Sequence, residues 1–322
     1  MDYHQPVIPP SDSKTIPQYA YYPNRASLDA AVARASADGI TPRILLLSNP
    51  QNPLGICYPP EVVQECIDWC RDNQIHLISD EIYAGSVYRE TDGEANFVSV
   101  LELASSSSSL SNGKGLGLGP FIHFVYALSK DFALSGLRVG ALYSENPEIR
   151  LPLQKLNDLC CISSQTQLLV ERMLSITTSD DPPSKDVSSS SSSSSSKSSS
   201  WSHQFRFQNH QRLKARSDAW HALLDDLDIP YIRATAGLFV WMDLTEFLPS
   251  SSLSGGTDDD DERERMLYLE LVNKFGLLFT PGRSMRNEKP GFFRCVFTAA
   301  NETEFAIGMD RLRKFVSTKR GV

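Results

Sequence analysis

The chain has 322 residues, 41% hydrophobic and 22% charged, with a formal net charge of −8. That length supports a substantial core and a division into two domains. An acidic balance with no basic block argues against a nucleic-acid partner, and no apolar run is long enough to span a bilayer.

The first 51 residues show no strand–glycine loop–helix unit, and Tyr3, Tyr19, Tyr21 and Tyr22 fall in a Pro-rich stretch expected at the surface. The start, Met1-Asp2-Tyr3-His4, does not read as a signal peptide, so a cytoplasmic protein is expected. A first strand is predicted over Arg43–Ser48. Pro59-Pro60 then opens a helix with Val62, Val63, Cys66, Ile67, Trp69 and Cys70 as its apolar stripe. A strand over Ile75–Ser79 follows, then the serine- and glycine-rich stretch 105–119, read as an added loop. Strands are expected over Phe121–Leu128 and Val139–Tyr143, and helices over Leu153–Cys161 and Gln165–Leu174. Strands alternating with helices imply a mainly parallel sheet.

The run Ser188–Ser200, broken only by Lys197, cannot bury apolar surface and marks a low-complexity insertion at about 180–200. Beyond it, His203–Leu227 has apolar residues at helical spacing. Gly237–Leu244 reads as a strand, Arg263–Phe275 as a helix and Phe292–Phe297 as a strand. Asn301 is a credible cap for a last helix. The acidic run Asp258–Glu262 reads as a solvated loop that holds no metal. The six cysteines lack a Cys-x-x-Cys pair and lie mostly in apolar patterns, so they read as reduced, buried thiols. The six histidines form no ligand cluster. The predicted division is residues 1–200, then residues 201–322 as an interdomain helix and smaller domain.

Chemistry concentrates in a few segments. Lys130 lies in Ser129-Lys130-Asp131-Phe132 after an apolar strand, where its amine would emerge at a sheet's C-terminal edge, the usual ligand-binding edge of open α/β sheets. Arg138 follows eight residues on. Asp80 follows the strand expected over Ile75–Ser79, and Tyr83 stands three residues later. Asn52 lies in Asn49-Pro50-Gln51-Asn52-Pro53-Leu54-Gly55, 28 residues before Asp80. Arg294 is a charge inside an apolar strand pattern, where burial requires a partner. Each has a plainer reading: a surface lysine, a surface arginine, a helix-capping aspartate, a turn, and an edge-strand arginine facing water.

Taken together, these segments resemble the fold-type I, class I/II aminotransferases, and within them the 1-aminocyclopropane-1-carboxylate synthase branch, from about Val7 onward. The resemblance begins partway through the family's large domain, which implies an N-terminally shortened member. It implies a PLP-transferase-like α/β fold: a large domain with a mainly parallel sheet, incomplete at its N-terminus, plus a smaller C-terminal α/β domain. It implies pyridoxal 5'-phosphate as cofactor, held by Lys130 through a Schiff base. Asp80 would pair with the pyridine nitrogen, and Tyr83 and Asn52 would donate to the phenolate oxygen. Ser129 and Arg138 would hold the phosphate, and Arg294, helped by Asn52, the α-carboxylate of an amino-acid substrate. Lys130, and Tyr83 beside it, would be catalytic. Ala127 replaces a serine that family members often carry three residues before the lysine.

The function implied is a PLP-dependent enzyme acting on an α-amino acid, of aminotransferase or 1-aminocyclopropane-1-carboxylate synthase type, in amino-acid or secondary metabolism. The alternatives are a shortened non-catalytic paralogue or partner subunit, and a PLP-dependent C–S lyase. A homodimer, or a heterodimer with a full-length relative, is the expected assembly.

Overall fold

The structure, a computed structural model, describes residues 15–89, 97–106, 117–178, 199–250 and 257–321. After a short 3-10 turn at Gln18–Tyr21 comes α1 (Arg25–Ala37), a helix the sequence pattern did not predict. Its start is fixed by a capping box between Asn24 and Ser27, and among its residues only Leu28 is buried. So thin an apolar stripe gives no periodic signal.

The first sheet contains β1 (Ile44–Ser48), β2 (His76–Asp80), β3 (Ile122–Ala127) and β4 (Gly140–Ser144), in that spatial order. β1, β2 and β3 run parallel, and β4 joins β3 antiparallel. Between β1 and β2 lies α2 (Pro60–Asp72), with proline in its first turn as its sequence predicts. Val63, Cys66, Ile67 and Cys70 of α2 pack with Leu45, Leu47, Leu77 and Ile122, the inward set on one sheet face. α3 (Val100–Ser106) adds Val100 and Ala104 to this cluster.

Strand alternation puts Ile44, Leu46, Asp80 and Leu142 on the opposite face, where the aliphatic three are 57%, 57% and 50% exposed. One face of this sheet is therefore covered and the other is open. The strand leading to Lys130 is half-buried at Val125, Tyr126 and Ala127, not deeply buried as expected. It also stops at Ala127, and Leu128–Asp131 form one helical turn, α4.

α5 (Pro147–Cys160) and α6 (Ser164–Ser175) follow, both starting earlier than predicted. Leu151, Leu156 and Leu159 of α5 and Leu168 and Leu169 of α6 are exposed. Two-residue strands β5 (Thr177–Thr178) and β6 (Ser199–Ser200) pair antiparallel, so the last two serines of the low-complexity run form a strand. The rest of that run, and residues 107–116 of the glycine-serine stretch, lie outside the described residues.

α7 (Trp201–Asp226), about 39 Å long at helical rise, leads to the second sheet. This contains β7 (Tyr231–Ile232), β8 (Phe239–Asp243), β9 (Thr280–Pro281) and β10 (Phe292–Val296), in the order β7-β8-β10-β9 and wholly antiparallel. α8 (Thr257–Phe275) and α9 (Glu302–Arg320) flank it. Met242, Phe293 and Cys295 pack with Leu224, Leu271 and Phe315 in the largest core cluster.

Three expectations are corrected here. The acidic run 258–262 belongs to α8, not to a loop, because carboxylates favour a helix N-terminus. Asp260 pairs with Arg263 at 3.0 Å, Asp261 pairs with Arg283, and Asp259 is buried. Tyr21 is buried, not superficial, because it packs with Ile16, Leu54, Ile56, Trp241 and Phe292. Cys160 and Cys161, at the end of α5, are exposed, and the other four thiols are buried.

Candidate active site

The Asn-Pro segment after β1 forms a tight loop, with cis peptides at Asn49–Pro50 and Asn52–Pro53. It is closed by Gly55 N–H to the Gln51 carbonyl at 2.8 Å and Leu54 N–H to Gln51 Oε1 at 2.8 Å. Gly55, at φ +72°, meets Ala234 and the Ala236 and Phe239 carbonyls so closely that a Cβ would lie 2.9 Å from Ala234 Cβ. Its own carbonyl accepts from the Thr235 and Ala236 N–H groups. The loop is thereby seated against the second sheet.

There it meets Arg294. β10 is an inner strand, and alternation turns Arg294 to the same face as Phe292, toward the loop. Arg294 Nη1 donates to Asn52 Oδ1 at 2.7 Å, and Nη2 donates to Thr280 Oγ1 at 3.2 Å. Its carbon Cζ stands 5.4 Å from the centre of the Phe239 ring. It has no carboxylate partner among the described residues, and its buried Nε has no hydrogen-bond acceptor. The edge-strand reading of Arg294 therefore fails. Burial pulls the guanidinium's pKa below its usual range, and the nearby Tyr83 opposes this.

Asp80 ends β2 on the open face of the first sheet, and among the described residues its Oδ1 accepts only the Ile82 N–H, at 3.2 Å. Burial pushes its carboxyl upward, and that hydrogen bond pulls it down. Tyr83 is buried, edge-on to Phe239 at 5.4 Å between ring centres. Burial raises its hydroxyl's pKa, Arg294 lowers it, and Asp80 and Asp131 raise it. Tyr83 thus stands within electrostatic reach of all three charges. Asn52, Asp80, Tyr83 and Arg294 converge between the sheets.

Ser129 and Lys130 lie on α4, and Arg138 ends a 3-10 turn at Ser135–Leu137 with φ +55°. Lys130 is exposed, and its side-chain amine has no hydrogen-bond or ion-pair partner among the described residues. Arg138 is exposed too, and its Nη1 donates to the Ser135 carbonyl at 2.9 Å. These three do not touch the Asn52–Arg294 pair directly. What joins the two groups is a residue the motif reading left without a role, Asp131, completely buried beneath Tyr126 and Ser86. A carboxylate in an apolar turn directly after the lysine was the available signal. Thr280 and Phe239, both against Arg294, carried no signal, because only the strand pairing places them there.

A cleft of about 1170 Å³ opens beside Ala127 and Gly140, between α5 and the β3–β4 edge. Val125, Leu142, Leu153, Leu156 and Arg150 line it, and none of the seven predicted site residues does. The donor set, not this cleft, bears on the cofactor. One amine, one under-bonded carboxylate, one phenol and one guanidinium suit an aldehyde, a ring nitrogen, a phenolate and a phosphate respectively. The residues present therefore fit pyridoxal phosphate at its ring end and offer Arg138 and Ser129 at its phosphate end. Among the described residues no helix is long and apolar enough to cross a membrane, and no group of His, Cys, Asp and Glu could hold a metal.

Residues 11–312 match the family model for aminotransferase class I and II. The chain is 32% identical over 297 residues to 1-aminocyclopropane-1-carboxylate synthase 1 of Oryza sativa subsp. indica, covering 92% of this chain and 54% of that protein. It is 31% identical over 295 residues to 1-aminocyclopropane-1-carboxylate synthase 11 of Arabidopsis thaliana, covering 92% and 55%. The chain thus spans about half the length of the curated relatives it matches. Among solved structures, an aromatic aminotransferase from Pyrococcus horikoshii OT3 superimposes with a TM-score of 0.67 at 16% identity, covering 94% of this chain and 65% of that one. An aspartate aminotransferase from Thermotoga maritima gives 0.62 at 17% identity, covering 94% and 62%. These likenesses show the fold.

Proposed function

This chain belongs to the class I and II aminotransferase family, and we propose that it acts with pyridoxal phosphate on an α-amino acid, in the manner of an aminotransferase or a 1-aminocyclopropane-1-carboxylate synthase. The observation that carries this reading is Arg294. It is a half-buried cation with no carboxylate partner among the described residues, braced by Asn52 and Thr280 and near Tyr83. A buried charge without a counter-ion is costly, and a substrate carboxylate would relieve that cost.

When bound, pyridoxal phosphate supplies an aldehyde that condenses with amines and a ring that accepts electron density from Cα. Lys130 would hold it, and once displaced by substrate its amine would move the proton at Cα. Its exposed side chain, without a partner among the described residues, supports that double duty. Asp80, with most of its acceptor capacity unused among the described residues, would keep the ring nitrogen protonated. The Tyr83 hydroxyl and the Asn52 amide would donate to the phenolate oxygen. Ser129 and the free face of the Arg138 guanidinium would hold the phosphate. Arg294 would fix the substrate carboxylate and so orient the Cα–H bond.

The proposed assembly is a dimer, with a second copy or with a full-length relative. The exposed leucines of α5 and α6 and the open sheet face support a further protein layer. Two separate sheets support a division into residues 1–200 and 201–322, with Ile16 and Tyr21 packed against residues of the second. Unpaired thiols agree with a cytoplasmic location.

The test is exchange of the amino-acid Cα proton in deuterated water, followed by NMR with added pyridoxal phosphate. Exchange of methionine, S-adenosylmethionine, aspartate or an aromatic amino acid, lost in Arg294→Ala, is the expected result. No exchange with any α-amino acid by folded, cofactor-loaded protein would refute the reading.

A further inference from the structure

Residues 130–132 place one free side chain ahead of two pinned ones. Lys130 is exposed and unpartnered among the described residues. The next residue, Asp131, is completely buried. Phe132 then stacks on Phe205 and Trp201 of α7, with ring centres 5.7 and 6.3 Å away.

Three donors converge on the Asp131 carboxylate. Gly85 N–H donates to Oδ2 at 2.6 Å, the Tyr126 hydroxyl to Oδ2 at 2.9 Å, and the Ser86 hydroxyl to Oδ1 at 2.5 Å. Gly85 and Ser86 belong to the 3-10 turn Ala84–Ser86 that directly follows Tyr83. The approach is so close that a Cβ on Gly85 would lie 2.8 Å from Oδ2. The Gly85 carbonyl in turn accepts from His210 Nε2 at 2.7 Å, which ties the same turn to α7. Short bonds to an ionised acceptor are the stronger kind, and a buried carboxylate that lost them would be heavily penalised.

We propose that Asp131 is a positioning residue, whose carboxylate locks the turn bearing Lys130 to the turn bearing Tyr83 and so fixes the lysine amine against Tyr83 and Asp80. The inference rests on the reading of Lys130 as the amine that takes the cofactor aldehyde. Its role follows from shape and hydrogen bonding more than from charge. An asparagine could accept the Gly85 and Tyr126 donors on its oxygen and donate its amide to a rotated Ser86 hydroxyl. An alanine could do neither.

The experiment is borohydride trapping with pyridoxal phosphate, mapped by peptide mass spectrometry in wild type, Asp131→Ala and Asp131→Asn. The neutral Lys130 amine condenses with the aldehyde and releases water, and borohydride reduces the resulting C=N bond to a stable secondary amine. Wild type should label selectively at Lys130. In Asp131→Ala, labelling at Lys130 should fall about tenfold to a hundredfold, the size of effect an ångström-scale misplacement produces, with the other lysines unchanged. Asp131→Asn should recover most of the rate. Unchanged labelling of Lys130 in a folded Asp131→Ala protein overturns the proposal and leaves the cofactor reading intact. No labelling of Lys130 in wild type overturns the cofactor reading and this proposal with it. If thermal melting shows that Asp131→Ala does not fold, Gly85→Ala crowds the same carboxylate, and an unchanged Lys130 rate there overturns the proposal equally.

Discussion

Arg294 and Asn52 lie 242 residues apart in sequence, and Nη1 of the one donates to Oδ1 of the other at 2.7 Å. This bond joins the loop after the first strand to an inner strand of the second sheet, and the proposed amino-acid site is built on it. Removing Arg294 as alanine should weaken amino-acid binding by about 10- to 100-fold, from the loss of hydrogen bonds to charge worth about 1.5–3 kcal/mol. Asn52→Ala should move affinity in the same direction by less, because Thr280 still holds Nη2. Titration of cofactor-loaded protein with the substrate found by proton exchange measures both.

Gly55 underlies that geometry. At φ +72°, with Ala234 and two carbonyls against it, it leaves no space for a side chain. Gly55→Ala should destabilise the protein by about 1–3 kcal/mol, through left-handed backbone strain added to the clash. Urea denaturation should show a lower midpoint.

The cysteines divide by burial. Burial pushes the thiols of Cys57, Cys66 and Cys70 up to about 12, and that of Cys295 further. A thiol-specific reagent should modify Cys160 and Cys161 in the native protein and the other four only after unfolding. Counting thiols released with and without denaturant decides it.

His123 is buried between His76 and Ser144, with ring nitrogens 2.9 Å from His76 Nδ1 and from Ser144 Oγ. Burial, and the neighbouring His76, push its pKa down to about 4. A base depressed in the folded state binds its proton more readily when unfolded. Its contribution is therefore present above the unfolded value near 6.5 and is lost as pH falls toward 4. Wild type should lose stability over this window faster than His123→Gln, by about 1.4 kcal/mol per pH unit. Chemical denaturation at pH 7, 6 and 5 measures the difference in slope.

Much of this architecture was legible because local chemistry and burial agree. Pro60 and the α2 stripe, the strands ending at Ser48 and Asp80, and the Asn301 cap were all read within a residue or so. The α1 helix was not, because it buries only Leu28. The acidic start of α8 was read as a loop because charge density hides helix when pairing partners such as Arg283 lie elsewhere in the chain. The site's chemistry was visible as separate segments, but its wiring was not. Thr280 and His210 acquire roles only through contacts made by the fold, and Asp131 stands out in the sequence only as a carboxylate directly after the lysine.

The central claim is that Lys130 anchors pyridoxal phosphate in this chain. The most direct test is the visible absorbance of the purified protein titrated with the cofactor, beside Lys130→Ala. The account predicts a protein-bound band in the wild type that saturates and is absent in the variant. A band of equal size in both proteins, or none in folded wild type, would contradict it.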